Sequence, residues 1–163
     1  MNIDIDINEV RKGLFRKNAI AFVTESNSIE GIDRPPTNAE IECHLEFIEK
    51  EEIFIEDMEA FVSIYQPNAQ LRSKTGLDVR IGNHFPPMGG VEVGYALNEL
   101  LLDIKKYNPY EAHCIYETLH PFTDGNGRSG RVLWAWHTRQ VENYRPREFL
   151  RQFYYQSLQM WRK

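Results

Sequence analysis

Apolar residues recur at helical spacing along almost the whole chain, and the pattern breaks once, between residues 70 and 90. From Asn8 to about Ile29, residues Val10, Leu14, Phe15, Ile20, Phe22 and Val23 keep a period near that of a helix. Gly31 and Arg34-Pro35-Pro36 stop it. Thr37 with Glu40 forms a capping box for the next tract. There Ile41, Leu45, Ile48, Phe54, Met58, Phe61, Val62 and Tyr65 fill two helices that end at Pro67. The helical period resumes over Val91–Tyr107 and over Pro109–Leu119, where Pro109 suits a first helical position. It runs again from near Gly125 to about Val141 and over Pro146–Trp161. The break, QLRSKTGLDVRIGNHFPPMGG, alternates through Leu77, Val79 and Ile81 before Gly82-Asn83 and a double proline. That pattern predicts a small hairpin within residues 77–86. The expected fold is mainly α, a helical bundle with one short β-hairpin.

With 163 residues, the chain is the size of one domain with one core. Its net charge of -5 argues against a general nucleic-acid binder, since phosphate backbones attract basic surfaces. Arg145–Arg151 is the one basic cluster and reads as a solvated helix start. Cys43 and Cys114 stand far apart with no CxxC, so two reduced thiols are expected rather than a zinc site or disulfide framework. The opening MNIDIDINEV is acidic where a signal peptide would be basic and then apolar. No run reaches the length of a membrane span. A cytoplasmic protein is expected, with neither nucleic acid nor membrane as partner.

The chemistry concentrates in HPFTDGNGRSGR, His120–Arg131. Gly125 and Gly127 flank Asn126 where a loop turns into a helix. A helix start offers free N–H groups and partial positive charge, and glycine lets a phosphate approach that backbone. Arg128 and Arg131 are three apart, hence on one helix face. Cations there oppose the helix dipole and call for an anion, which a polyphosphate or a carboxylate elsewhere in the chain would supply. Asp124 is a hard oxygen ligand suited to Mg²⁺ on phosphates, or equally a helix N-cap. His120, at the end of the preceding helix, is a candidate general base or a hydrogen-bonded structural histidine. Phe122 reads as a core anchor. Together these groups describe a phosphoryl- or nucleotidyl-transfer site.

The same stretch resembles the signature of the Fic family, H-x-F-x-[DE]-G-N-G-R-x-x-R, and matches every fixed position. DVRIGNHFPP resembles that family's flap, a hairpin over the active site that docks a target segment by strand addition. The resemblance implies a single Fic-like domain over residues 1–163, with a flap region at 70–90 and a catalytic loop at 120–131. It implies transfer of AMP from ATP to a Tyr, Ser or Thr of a target protein. His120 would be the base and Asp124 would hold Mg²⁺. Gly125, Asn126 and Gly127 would form the anion nest, and Arg128 and Arg131 would grip the phosphates. Ile81, Gly82, Asn83 and His84 would lie against the nucleotide. Tyr154 is a candidate adenine contact, with a core aromatic as its alternative.

A second resemblance lies at the end of the first helix. Ser26-Asn-Ser-Ile-Glu30-Gly31 is similar to the family's inhibitory pattern, [ST]-x-x-x-E-[GN], which implies that residues 1–32 form an inhibitory helix segment and that Glu30 pairs with Arg131. Many members continue into a further C-terminal module where this sequence stops at Lys163, which leaves open any oligomerisation or target selection built on one. Oligomeric state stays open, a homo-oligomer included. So do removal of AMP, and UMP or phosphocholine as donated groups. The intact Gly125-Asn126-Gly127-Arg128 core argues against a kinase of the Doc type. The remaining alternative is a silent, toxin-like module that binds nucleotide without turnover, against which the intact His120 and Asp124 argue.

Overall fold

The computed structural model describes residues 7–138 and 157–162. Among the described residues, up to Thr138, the α-helices are α1 (Ile7–Ile29), α2 (Asn38–Glu49), α3 (Ile55–Tyr65), α4 (Val91–Leu102), α5 (Pro109–Leu119) and α6 (Asn126–Thr138). The boundaries follow local chemistry. The Thr37–Glu40 capping box closes on both sides, Thr37 Oγ1 accepting from the Glu40 N–H and the Glu40 carboxylate from the Thr37 N–H. Asn108 and Glu111 form the same reciprocal pair ahead of Pro109. α4 is shorter than its apolar pattern, because the backbone leaves helical geometry at Asp103 and continues as a 3₁₀ turn, Ile104–Lys106.

The layers meet through α5 on α6, α1 on α2 and α6, and α2 on α3. Phe22, Phe47, Met58, Phe61, Leu97, Tyr116, Phe122, Leu133 and Trp136 fill the shared interior. Burial of side chains this size, each worth about 1.5–3 kcal/mol, is the main force holding the bundle. Gly130 lets α5 and α6 approach: a Cβ there would collide with Glu117 Oε1 and come within 2.9 Å of Tyr116 Cδ1. The thiols of Cys43 and Cys114 are free. Among the described residues, no helix is long and apolar enough to cross a membrane.

The expected hairpin contracts to a tight turn. Ile81 and His84 exchange both backbone hydrogen bonds, at 3.0 and 2.8 Å, around Gly82 at φ 55. No longer ladder forms within 77–86. Pro86 and Pro87 have no N–H to donate. In the register set by Ile81 and His84 the next hydrogen-bonded pairs would be Val79 with Pro86 and Leu77 with Met88. Pro86 has no N–H for Val79, and the Leu77 carbonyl instead accepts from Arg72, as does that of Pro87. The expected final helix falls mostly outside the described residues, which include its end, helical over 157–161.

Candidate active site

The segment 120–125 is pinned before it reaches α6. Leu71 and Phe122 form an antiparallel bridge, and the Gln70 and Thr123 backbones and the Thr123 hydroxyl extend that pairing. Asn126 closes the loop from the other side: its side chain accepts from the Phe122 N–H at 2.9 Å and donates to the Phe122 carbonyl at 2.8 Å. The asparagine is therefore a loop staple, with its amide spent on Phe122 rather than free for a ligand. The left-handed backbone that its neighbours need falls on Gly125, at φ 78. Gly125 also caps α6, its carbonyl accepting from the Ser129 N–H, so Asp124 is not the cap. Asp124 is exposed, and its Oδ1 accepts from the Gly125 N–H at 2.6 Å.

His120 ends α5 in the left-handed region, φ 49 and ψ 63. It is the one non-glycine with positive φ among the described residues. The half-buried imidazole is pushed down to about 4, first by desolvation and then by the nearby cations Arg162 and Arg72 and by His84, against an opposing interaction with the Glu117 backbone. It is therefore neutral, with a lone pair to offer, at any ordinary pH.

A cavity of about 210 Å³ opens between these groups. His120, Thr123, Asp124 and Gly125–Gly127 line it together with Glu30, Arg131 and Ile81 of the flap. Glu117, Leu158 and Arg162 complete the lining. Arg131 is fully buried and held by α1: its Nε donates to Ser26 Oγ at 2.9 Å and its Nη2 to the Ser26 carbonyl at 3.0 Å. The same Nη2 forms an ion pair with Glu30 Oε1 at 2.5 Å. Glu30 is pressed against α6, since a Cβ at Gly127 would strike its Oε1. The anion that Arg131 needs at a positive helix end is thus an internal carboxylate.

Arg128 and Arg131 part ways despite their spacing. Arg128 is not on the cavity wall; it is buried, with its guanidinium 4.2 Å over the Tyr65 ring of α3. Cation–π stacking on a fixed ring takes the place of the expected anion. Of the flap residues, Ile81 reaches the cavity, whereas Gly82 and Asn83 form the turn and His84 Nε2 bonds the Thr118 carbonyl at 2.9 Å. Tyr154 lies outside the described residues. Sequence reading missed Glu117, Arg162 and the buried Arg72. Glu117, one turn before His120 on α5, could have been found by helical spacing; Arg72 and Arg162 arrive from distant segments that no local pattern connects.

A family model described as the Fic/DOC family matches residues 64–138, from the end of α3 through α6. This segment, a little under half of the chain, is similar to the Fic/DOC family. The matched span contains the flap, His120 and the whole loop into α6; Ser26 and Glu30 precede it. No curated protein and no solved structure matches the chain.

Proposed function

We propose that this protein transfers AMP from ATP to a hydroxyl side chain of a target protein, and that Glu30 holds the reaction in check. The observation that carries this reading is the ion pair of Glu30 with the buried Arg131, set in the same small cavity as the neutral His120 and Asp124. The imidazole takes the proton of the incoming Tyr, Ser or Thr hydroxyl. That oxygen bonds to the α-phosphorus, the bond to the β,γ-phosphates breaks, and pyrophosphate leaves with the electron pair. A base near 4 is weak, but polyphosphate charge beside it opposes the pull of Arg72 and Arg162 and raises it towards a useful range. N–H groups at the start of α6 and the Nη2 side of Arg131, once uncovered, neutralise the phosphates.

The donor set fits Mg²⁺ carried on the nucleotide. Asp124 offers exposed carboxylate oxygen at the cavity, and among the described residues no cluster of three or more His, Cys, Asp or Glu forms a dedicated metal cage. Mg²⁺ commonly binds through one or two carboxylates and otherwise through phosphates and water. Bound there, it would neutralise phosphate charge and orient the phosphate chain.

The restraint is steric as well as electrostatic. A cavity of about 210 Å³ is below the usual range of about 300–1,000 Å³ for ligand pockets. Moving Glu30 away enlarges it and uncovers the Nη2 side of Arg131 for the γ-phosphate, while Ser26 keeps the guanidinium in place.

The test is to incubate wild type and Glu30→Gly with Mg²⁺, cell lysate and ATP labelled at either the α- or the γ-phosphate. Protein-bound α-label, stronger with Glu30→Gly, is expected. Protein-bound γ-label alone would replace the reading with a kinase. Nucleotide binding with no label from either position would replace it with a silent binding module. Loss of AMP from pre-modified protein, faster with wild type than with Glu30→Gly, would reverse the direction and make Glu30 a catalytic group.

A further inference from the structure

We propose that Arg72 is a positioning residue that fixes the catalytic histidine and the flap as one unit. The inference rests on His120 being the base proposed above. The last carbonyls of a helix have no partner within it, and at α5 five successive carbonyls find theirs in distant segments. Arg162 Nη2 donates to Glu117 O at 2.7 Å, and His84 Nε2 bonds Thr118 O at 2.9 Å. Arg72 supplies the other three: Nη2 to Leu119 O at 2.9 Å, Nε to His120 O at 2.7 Å, and its backbone N–H to Pro121 O at 2.8 Å.

The other edge of the same guanidinium faces the flap. Arg72 Nη1 donates to Leu77 O at 3.2 Å and to Pro87 O at 2.8 Å, the two ends of the flap. The Arg72 carbonyl accepts from Gly90 N–H at 2.9 Å, just before α4. One planar group thus bonds His120 on one side and both arms of the flap on the other.

The chemistry of the residue fits this role better than that of a plain structural cation. Arg72 is fully buried, and among the described residues no carboxylate forms an ion pair with it. Asp78, whose charge partly offsets the effect of burial on Arg72, spends Oδ1 on the Gly89 N–H. A buried charge without an ion pair is costly, and here its compensation is a set of carbonyls. A planar fork can address carbonyls along two edges; the compact ammonium of lysine cannot span them. The bonded carbonyl of His120 belongs to a residue with positive φ, where a loss of restraint would let the backbone relax and carry the imagined attack line of the imidazole away from the cavity.

The experiment compares Arg72→Met and Arg72→Lys, each in a Glu30→Gly background, by labelled transfer kinetics and by ring ¹⁵N signals of His120, assigned with His120→Ala. Expected for both variants is a kcat lower by about 10²-fold, the usual effect of an ångström-scale misplacement, with KM for ATP little changed and the His120 ring signals displaced. Arg72→Lys should recover thermal stability relative to Arg72→Met without recovering kcat. Lower thermal stability with unchanged kcat and unchanged ring signals would overturn the proposal and leave a fold staple. If Glu30→Gly itself transfers nothing, the function reading fails, while the ring signals still decide the role of Arg72. If neither variant folds, wild type decides: Arg72 Nε–H should exchange slowly with solvent and show a through-hydrogen-bond coupling to the His120 carbonyl. Fast exchange without coupling would overturn the proposal.

Discussion

In the proposed reaction His120 is the residue on which the chemistry turns, and its environment dictates how it should respond to pH. Desolvation and nearby cations hold it near 4. The acid limb of kcat/KM, which reports the free enzyme, should therefore lie well below 6.5, measured with Glu30→Gly over the range in which the fold persists. A limb at 6.5 would mean an imidazole in water. His120→Ala should lower transfer by about 10²–10⁴-fold, the usual cost of losing a general base, and leave ATP binding in place, as calorimetry can check. Asp124→Ala should remove the Mg²⁺-dependent part of turnover; full Mg²⁺-dependent turnover would reduce Asp124 to its bond with the Gly125 N–H. The histidine, the aspartate, Glu30 and Arg131 were all legible because a twelve-residue motif and a six-residue pattern carry them locally. The separation of Arg128 from Arg131 was not. Helical spacing puts the two on one face, but the Tyr65 ring, more than sixty positions earlier, draws Arg128 aside.

At the scale of elements, helix ends and helix crossings decide where those residues sit. Thr37→Ala removes one half of the α2 capping box and should cost about 1 kcal/mol in urea unfolding. Gly130→Ala tests the α5–α6 crossing that seats the loop. Alanine favours a helix over glycine by about 1 kcal/mol, yet its Cβ meets Tyr116 and Glu117. Overpacking of about 1–3 kcal/mol should win, giving a net loss of stability; a gain would show that α5 yields easily. The caps and the apolar period made the spans of α1 and α5 and the start of α6 readable to within a few residues, and showed two helices between Thr37 and Pro67 without placing the break between them. α4 was overestimated because Ile104 is buried, as a further helical turn would be, although it lies in a 3₁₀ turn. The flap was misjudged in extent: alternation at 77, 79 and 81 signals a strand, but Pro86 cannot donate to Val79 and Arg72 captures the Leu77 carbonyl that the next ladder pair would have used.

Across the whole molecule, buried histidines couple the fold to pH. His44, His113 and His120 are each lowered to about 4, chiefly by desolvation. An unfolded histidine titrates near 6.5, so between 6.5 and 4 the unfolded chain holds more protons. Stability is full above 6.5 and falls as pH drops through that window. Glu40, lowered to about 2 first by its hydrogen bonds with Arg34, acts lower down: its contribution is present above 4.5 and is lost as pH falls towards 2. Urea midpoints should therefore decline between pH 7 and pH 5, before the carboxylates titrate; a constant midpoint would contradict the buried, neutral state of these histidines. The proposed restraint joins the residue to the whole: one ion pair between Glu30, just past α1, and Arg131 of α6 would hold a transferase in check. The most direct measurement is the initial rate of protein labelling from α-labelled ATP by wild type, Glu30→Gly, and Glu30→Gly with His120→Ala. The account predicts a rate for Glu30→Gly clearly above wild type, abolished by the second substitution. An equal or lower rate for Glu30→Gly, or labelling that survives loss of His120, would contradict it.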